Sequence, residues 1–556
     1  MPRPPRRFPF ASLQPHFMAL APLDAWARLL LAPRARIPLR YWPRLLLNLA
    51  FSAIGTLMTL PERLLLWPWL ALRARASAGA ILHPPGAIVV LGYFRSGTTH
   101  LHYLLTCDNR FVTPRWYEAL VPQGFVLSWN FLRVFLVAFL STKRPQDDMA
   151  FGPEWPAEDD FALSNWALTS SLPGRVIVPQ LHQHYRRFHS LDALSDRELS
   201  RWRRYQWAFL YKLTVFAGTR RLLLKTPSHT ARVAELLRLF NSKHQSQPTS
   251  GRVKFIHLSR DAAPVLKSNV AMMDRMSIYH LQDAPQGGAA EFRRRISGEY
   301  DRTEHAFLAQ RDQIPPGDLV MMRYEDLIAD PLSEMKRAYA ALGLEWTQSY
   351  ERKLLEYLDT VREYRTAGDK QKSAAAISPA AAPPLDPLPG ELRWMHEAFG
   401  HDRPPRPRAT LPVLVTSLSD NEKLRRRRTA YILTPLVAIL VAAVWLALAV
   451  AINNRSDWVV WLVGAATGYA AMRTAKVGSP RLGLWAALWT VLVWLVVAFA
   501  ATRFIYYRTN LAPTLWEMWD ATQKELRSGS TLPWAIFGVL TAFRFASRQH
   551  GGLPGR

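Results

Sequence analysis

The 556-residue chain contains a single cysteine, Cys107. No intramolecular disulfide can form, and a reducing, cytoplasmic setting is expected. No spacing of His, Cys, Asp and Glu suits a metal, so none is expected. His100 and His102 stand two apart on a predicted helix and face different directions. His257 falls on an apolar run and is expected in the core. Acidic residues are scarce: 43 Asp and Glu against 70 Lys and Arg leave a net charge of +27. That excess favours an anionic partner. The arginines cluster beside apolar runs, at Arg28, Arg34, Arg36, Arg40 and Arg44 and again at Arg425 to Arg428. This placement favours a membrane surface over nucleic acid. The basic N-terminus lacks the uninterrupted apolar core of a secretory signal, because prolines break it, so no cleavable signal is expected.

The chain is too long for one ordinary core, and its texture divides it. Residues 1–80 alternate Arg/Pro clusters with apolar stretches at 45–60 and 64–72, split by Pro61-Glu62-Arg63. Each stretch is shorter than the roughly 20 residues that cross a bilayer, so an interfacial amphipathic hairpin is expected, with a helical extension packed on the main domain as the alternative. Residues 81–366 alternate apolar strands, at 87–92, 221–225, 253–259 and 318–323, with helical patterns at 99–105, 231–240, 263–273 and 332–342. Such alternation predicts an α/β domain, a parallel sheet flanked by helices. Residues 367–424 are Ala/Pro-rich and read as a linker or wrap. Within 425–505 transmembrane helices are predicted at about 429–452, 457–472 and 482–502, the second short enough that two or three spans are open. The second carries Gly464 and Gly468 at GxxxG spacing, suited to close helix packing. Arg425 to Arg428 precede the first, and Arg473, Lys476 and Arg481 lie between the second and third. Under the positive-inside rule both regions, and with them residues 81–366, are cytoplasmic on a multi-pass membrane protein. Residues 506–556 form a C-terminal tail whose apolar piece at 532–543 is short for a span.

The first strand ends in Gly92-Tyr93-Phe94-Arg95-Ser96-Gly97-Thr98-Thr99 and runs into a helix. A strand, a glycine turn and a helix N-terminus aim several backbone N–H groups at one anion, with the helix dipole behind them. Ser96, Thr98 and Thr99 add hydroxyls, and Arg95 adds fixed charge. A nucleotide-triphosphatase loop has lysine where Thr98 stands, so a kinase or NTPase is disfavoured but is the first alternative.

Arg95-Ser96-Gly97-Thr98-Thr99 resembles the 5′-phosphosulfate loop of sulfotransferases that use PAPS (3′-phosphoadenosine 5′-phosphosulfate). Further segments agree in order: Lys225-Thr226-Pro227-Ser228-His229 with a Lys-x-Pro-x-His strand end, Arg260 and Ser268 with a 3′-phosphate site, and Arg323 to Leu327 with Asp330-Pro331 with a structural motif. Arg144-Pro145 through Glu158-Asp159-Asp160 is similar to the acidic segment of the family's bacterial, Golgi-like branch. The resemblance spans about residues 85–365.

It implies a P-loop-like fold and sulfuryl transfer from PAPS, as co-substrate and without metal, to a hydroxyl acceptor. PAPS would be held by Arg95, Ser96, Gly97, Thr98, Thr99, Arg260 and Ser268. Lys225 and Arg95 would stabilise charge on the bridging oxygen. The general base is expected at Glu118, about 20 residues after the loop, with Glu158 ranked second. Ser228 is expected to cap a helix. The apolar helices point to a lipid-linked, glycan or other membrane-proximal acceptor. No nucleic acid is expected, and a homo-oligomer is allowed. The second alternative is a non-catalytic membrane scaffold on a degenerate nucleotide fold.

Overall fold

The computed structural model describes residues 16–32, 35–76, 86–128, 136, 140, 144, 149, 151–215, 217–241, 252–283, 288–361, 390–404, 406–407, 420–452, 459–475, 478–508, 514–526 and 531–547. Five parallel strands form one sheet in the order β2-β3-β1-β4-β5. They are β1 (Ala87–Leu91), β2 (Phe111–Val112), β3 (Arg221–Lys225), β4 (Lys254–Ser259) and β5 (Leu319–Arg323). The three central strands are buried along their whole length. Burial on both faces is why they read as unbroken apolar runs rather than alternating ones. All four expected strands are present; β2, only two residues long, offers no pattern to read.

In register, Val90 of β1 faces Lys225 of β3 and Leu91 faces His257 of β4. The strand ends therefore stand level, and the loop after β1 opens between the ends of β3 and β4. His257 is fully buried, stacked 4.1 Å from Phe307 and bonded to Glu304 at 2.9 Å, as a core residue.

The N-terminal segment differs from expectation. Besides α1 (Leu23–Leu30) it forms one 35-residue helix, α2 (Trp42–Ala76), that runs through Pro61 and Pro68. Proline removes a helical hydrogen bond and crowds the preceding turn. Both prolines are on the exposed side, while the opposite side is bonded to the rest of the protein at Glu62. The Glu62 carboxylate accepts the backbone N–H groups of Val126, Leu127 and Ser128 at 2.9, 3.1 and 3.1 Å and lies 3.5 Å from the buried Lys212 ammonium. Tertiary contacts of this kind outweigh the local defects, so the split expected at Pro61-Glu62-Arg63 does not occur.

Part of the Ala/Pro-rich stretch lies outside the described residues. Its described portion includes the helix Trp394–Phe399, whose Met395 and Phe399 are buried with Leu392 in the main core.

Toward the C-terminus four helices pack together: α9 (Asp420–Ile452), α10 (Val459–Ala475), α11 (Pro480–Arg508) and α12 (Thr531–Ser547). By length and composition, three helical segments among the described residues can cross a membrane: Leu39–Leu72, Leu424–Val450 and Pro480–Ala501. The first belongs to α2, which the sequence divides into two shorter stretches. The segment expected at 457–472 is too short for this group, but α10 packs closely with α12. A Cβ on Gly464 would lie 2.1 Å from the carbonyl oxygen of Gly538. The GxxxG spacing of α10 is thus used within the chain, against a helix too short to identify from its apolar run alone.

Gly464→Leu is expected to separate α10 from α12 and lower the melting temperature of the detergent-solubilised protein by several degrees. Gly390→Ala, with nothing within 4 Å of the added carbon, should leave it unchanged. Differential scanning fluorimetry on the two variants makes the comparison.

Candidate active site

The loop after β1 reaches the helix α3 (Thr98–Thr106) through Gly97, whose φ is 93°. A side chain there would be strained, and its Cβ would meet the Tyr324 ring at 2.2 Å. Arg95 also has positive φ, 72°, an uncommon conformation for a residue with a side chain and one often held at functional sites. The Gly92 N–H donates to Thr230 Oγ1 at 2.7 Å, which ties the loop to the turn after β3.

Lys225, buried at the end of β3, contacts the Glu158 carboxylate and donates to Thr99 Oγ1 at 3.2 Å. Arg144 Nη1 lies 3.5 Å from the same threonine oxygen. All four residues line one cleft. An ammonium at this depth is stable because a carboxylate faces it.

Glu158 reaches this position because the next two residues anchor the start of α5 (Asp159–Ala167). Asp159 accepts from Thr226 Oγ1 at 2.6 Å and Gln206 Nε2 at 2.7 Å, and contacts His229 Nε2 at 2.9 Å. Burial opposes its ionisation, but His229 and these donors prevail and hold the carboxyl below the usual carboxylate range. Asp160 pairs with Arg232 at 2.9 Å and accepts from Ser170 Oγ at 3.0 Å. Three consecutive acidic residues thus divide the work: one faces the cleft and two bind the turn that follows Lys225. Ser228, expected to cap a helix, instead bonds Asp160 and His189, at 3.3 and 3.1 Å. The turn is a short 3-10 segment, Pro227–Ala231, with no side-chain cap.

Arg260, at the end of β4, lies over the Tyr324 ring at 4.3 Å and donates to the Arg95 carbonyl at 3.2 Å. Arg95 in turn donates to Ser268 Oγ at 2.9 Å, on α7 (Ala262–Met276). Asp261 caps α7 by accepting from the Ala263 N–H at 3.0 Å. Arg95, Arg260 and Ser268 therefore converge on one side of the loop, while Lys225 stands on the other. Ser96 is buried under the loop, and Thr98 and Thr99 line the cleft.

Glu118 sits elsewhere. It is the third residue of the short helix α4 (Trp116–Leu120), where its carboxylate accepts the Arg115 N–H at 2.7 Å and the Tyr117 hydroxyl at 2.8 Å. Burial pushes its carboxyl up despite Arg115 nearby. One of its oxygens is engaged in capping and the other by Tyr117, and Glu118 is not among the residues lining the cleft, whereas Glu158 is. The capping role of Glu118 is not revealed by its residue count from the loop.

Two cleft arginines carried no assigned role from sequence. Arg144 appeared only as part of a motif. Arg175, buried in the segment Pro173–Ile177, contacts Glu299 and lies 4.2 Å over the Phe94 ring. An arginine within Pro-Gly-Arg-Val-Ile-Val was the available signal, since so apolar a setting demands a partner or ligand. Trp116, Phe161, Leu172, Val176, Met273 and Met276 complete an apolar wall beside the charged end. Among the described residues no cluster of three or more His, Cys, Asp or Glu could hold a metal.

Residues 85–348 match the Sulfotransferase family model. The chain carries a sulfotransferase-family domain and is a transferase enzyme. It is 28% identical over 344 residues to the omega-hydroxy-beta-dihydromenaquinone-9 sulfotransferases of Mycobacterium bovis and Mycobacterium tuberculosis, covering 62% of this chain and 82% of each relative. A crystal structure of a Mycobacterium tuberculosis sulfotransferase aligns at 18% identity with TM-score 0.41, covering 64% of this chain and 89% of that one. A Mycobacterium avium sulfotransferase aligns at 16% identity with TM-score 0.42, covering 73% and 100%. The sulfotransferase domain thus lies between an N-terminal unit and a C-terminal bundle that the family model does not include.

Asp159 makes the domain's stability acid-sensitive. A carboxyl whose folded pKa is depressed contributes stability above its unfolded value, near 3.8, and loses it as pH falls below. Urea midpoints at pH 5 and pH 3 should therefore fall less steeply for Asp159→Asn than for the wild type. Asp160→Ala leaves the buried Arg232 without its carboxylate and is expected to cost about 3–5 kcal/mol at neutral pH, measured by the same titration.

Proposed function

We propose that the enzyme transfers a sulfuryl group from PAPS to the hydroxyl of a largely apolar, membrane-held acceptor. The observation that carries this reading is the cleft itself, with Lys225, Arg144, Thr99 and Glu158 at one end and an apolar wall beside them. The loop N–H groups with Thr98 and Thr99 would hold the 5′-phosphosulfate, and Arg260, Ser268 and Arg95 the 3′-phosphate. The acceptor oxygen attacks sulfur as the bond from sulfur to the bridging phosphate oxygen breaks. Glu158 takes the hydroxyl proton, Lys225 meets the charge growing on the bridging oxygen, and adenosine 3′,5′-bisphosphate leaves. Contact between Lys225 and Glu158 favours this assignment because acid–base and charge-stabilising groups must lie within one bond's reach of the same reacting centre.

The relatives named above act, by their name, on a hydroxylated menaquinone derivative. An apolar molecule ending in a hydroxyl matches the division between the wall and the charged end. Membrane attachment has a second basis in α9 and α11. Arg425 to Arg428 precede the long apolar run of α9, and Arg473 and Arg481 flank the α10–α11 connection. By the positive-inside rule these ends, and the catalytic domain, face the cytoplasm.

Membranes containing the protein, supplied with PAPS labelled in sulfur, are expected to yield a labelled product in the lipid fraction. Glu158→Gln should reduce the rate roughly 10²–10⁴-fold, the range of general-base catalysis. Lys225→Ala should reduce it roughly 10²–10³-fold while PAPS binding persists. Absence of a labelled product from lipid, glycan and small-molecule fractions alike would refute the assignment. Tighter binding of ATP than PAPS would favour phosphoryl transfer instead.

A further inference from the structure

Helix α2 has its polarity inside out. Its buried side carries Arg44, Asn48, Ser52, Thr59 and Glu62, all 9% exposed or less. Its outward side carries Leu46, Leu57, Leu64, Leu65 and Leu72, exposed by 57 to 70%. A surface helix bathed in water does the reverse.

The buried polar groups are used along the length of the helix. Arg44 donates to the His280 carbonyl at 2.6 Å, and Asn48 Oδ1 accepts the His16 N–H at 2.9 Å. Ser52 donates to the Ala21 carbonyl at 2.5 Å, and Thr56 Oγ1 accepts the Leu23 N–H at 3.0 Å. Gly55 admits the backbone of Leu20, whose carbonyl oxygen would lie 2.8 Å from an added Cβ. Glu62 then takes the three N–H groups at 126–128.

Length and composition alone would let Leu39–Leu72 cross a bilayer. The contacts exclude it. From Arg44 to Leu70 the docked face extends about 39 Å at 1.5 Å per residue, more than the roughly 30 Å hydrocarbon core. Its partners include turns and loops with irregular backbone at 16–22, 121–128 and 280, which hydrocarbon exposure does not tolerate. The same domain cannot line a helix throughout its length and also stand outside the membrane that the helix crosses.

We infer that α2 lies in the plane of the membrane surface, its polar face bolted to the sulfotransferase domain and its leucine face immersed in lipid. The occupant is a phospholipid bilayer rather than a protein groove for two reasons. The apolar outward face is continuous from Trp42 to Leu72, and the C-terminal bundle holds the domain beside the membrane: Arg544 of α12 donates to the Leu140 carbonyl at 3.2 Å. The same N-terminal unit also backs the cleft. Phe17 packs edge-on against the cleft residue Phe161 at 5.0 Å, and its carbonyl accepts from Asn165 at 3.0 Å. The outward face of α2 and the apolar cleft wall are therefore linked through the packed N-terminal unit. The placement of α2 deepens the membrane reading above but does not depend on the sulfuryl-transfer assignment.

The single cysteine provides a test, because Cys107 is fully buried. Leu46→Cys, Leu57→Cys, Leu64→Cys and Leu72→Cys, introduced one at a time, are labelled with a nitroxide in the full chain reconstituted into phosphatidylcholine/phosphatidylglycerol vesicles. Unsubstituted protein measures background labelling, and Thr59→Cys reports the docked face. The expected result is one shallow depth at all four outward positions, with high oxygen and low nickel-complex accessibility, and Thr59→Cys shielded from both. A profile deepest near 57 and emerging at 46 and 72 would show a crossing helix and overturn the proposal. Free nickel access at all four positions would overturn it by showing water. Neither outcome bears on sulfate transfer, which is read separately by labelled PAPS.

Discussion

Two adjacent buried carboxylates hold the cleft's geometry together. Asp159 and Asp160 at the start of α5 bind the Thr226, Ser228, His229 and Arg232 side chains that follow β3. Strand β3 delivers Lys225 and α5 begins beside Glu158, so these bonds determine the distance between the two cleft groups. Their burial makes them stiff: each polar partner left unmatched in that setting would cost more than a surface contact could return.

The loop after β1 is constrained from the other side. Gly97 passes against the Tyr324 ring, and Arg260 covers that same ring while bonding the Arg95 carbonyl. The segment Arg323 to Leu327 thus contributes through packing, by supporting the loop and the arginine over it. Arg95 itself turns to Ser268. The cation count around the cleft therefore separates into two groups, one toward Ser268 and one around Thr99, a separation suited to a ligand bearing anionic groups at two ends.

Apolar surface is arranged with equal consequence. In α2 the residues a water-soluble helix would expose face inward, and the leucines it would bury face outward. In the C-terminal bundle the opposite economy applies, with Gly464 and Gly538 allowing backbones to meet where side chains would hold them apart. Both arrangements fit the membrane setting proposed above, with lipid as a second solvent.

The sequence by itself determined the parallel sheet, the strand-to-helix turn after β1, and the order of cationic and acidic segments around it. Those features depend on local pattern: apolar runs of strand length, glycines at a strand-to-helix turn, and charges next to strand ends. It did not separate Glu118 from Glu158, because each is a glutamate near a helix start and only the fold reveals which carboxylate is consumed by capping. Nor did it foresee one continuous α2, since local rules break a helix at Pro61 while long-range bonds at Glu62 sustain it. Arg144 and Arg175 gained meaning only when folding brought them to Thr99 and Phe94. Tertiary structure decided these points because burial, partner choice and the facing of a helix are relations between distant residues, and no neighbouring residue along the chain records them.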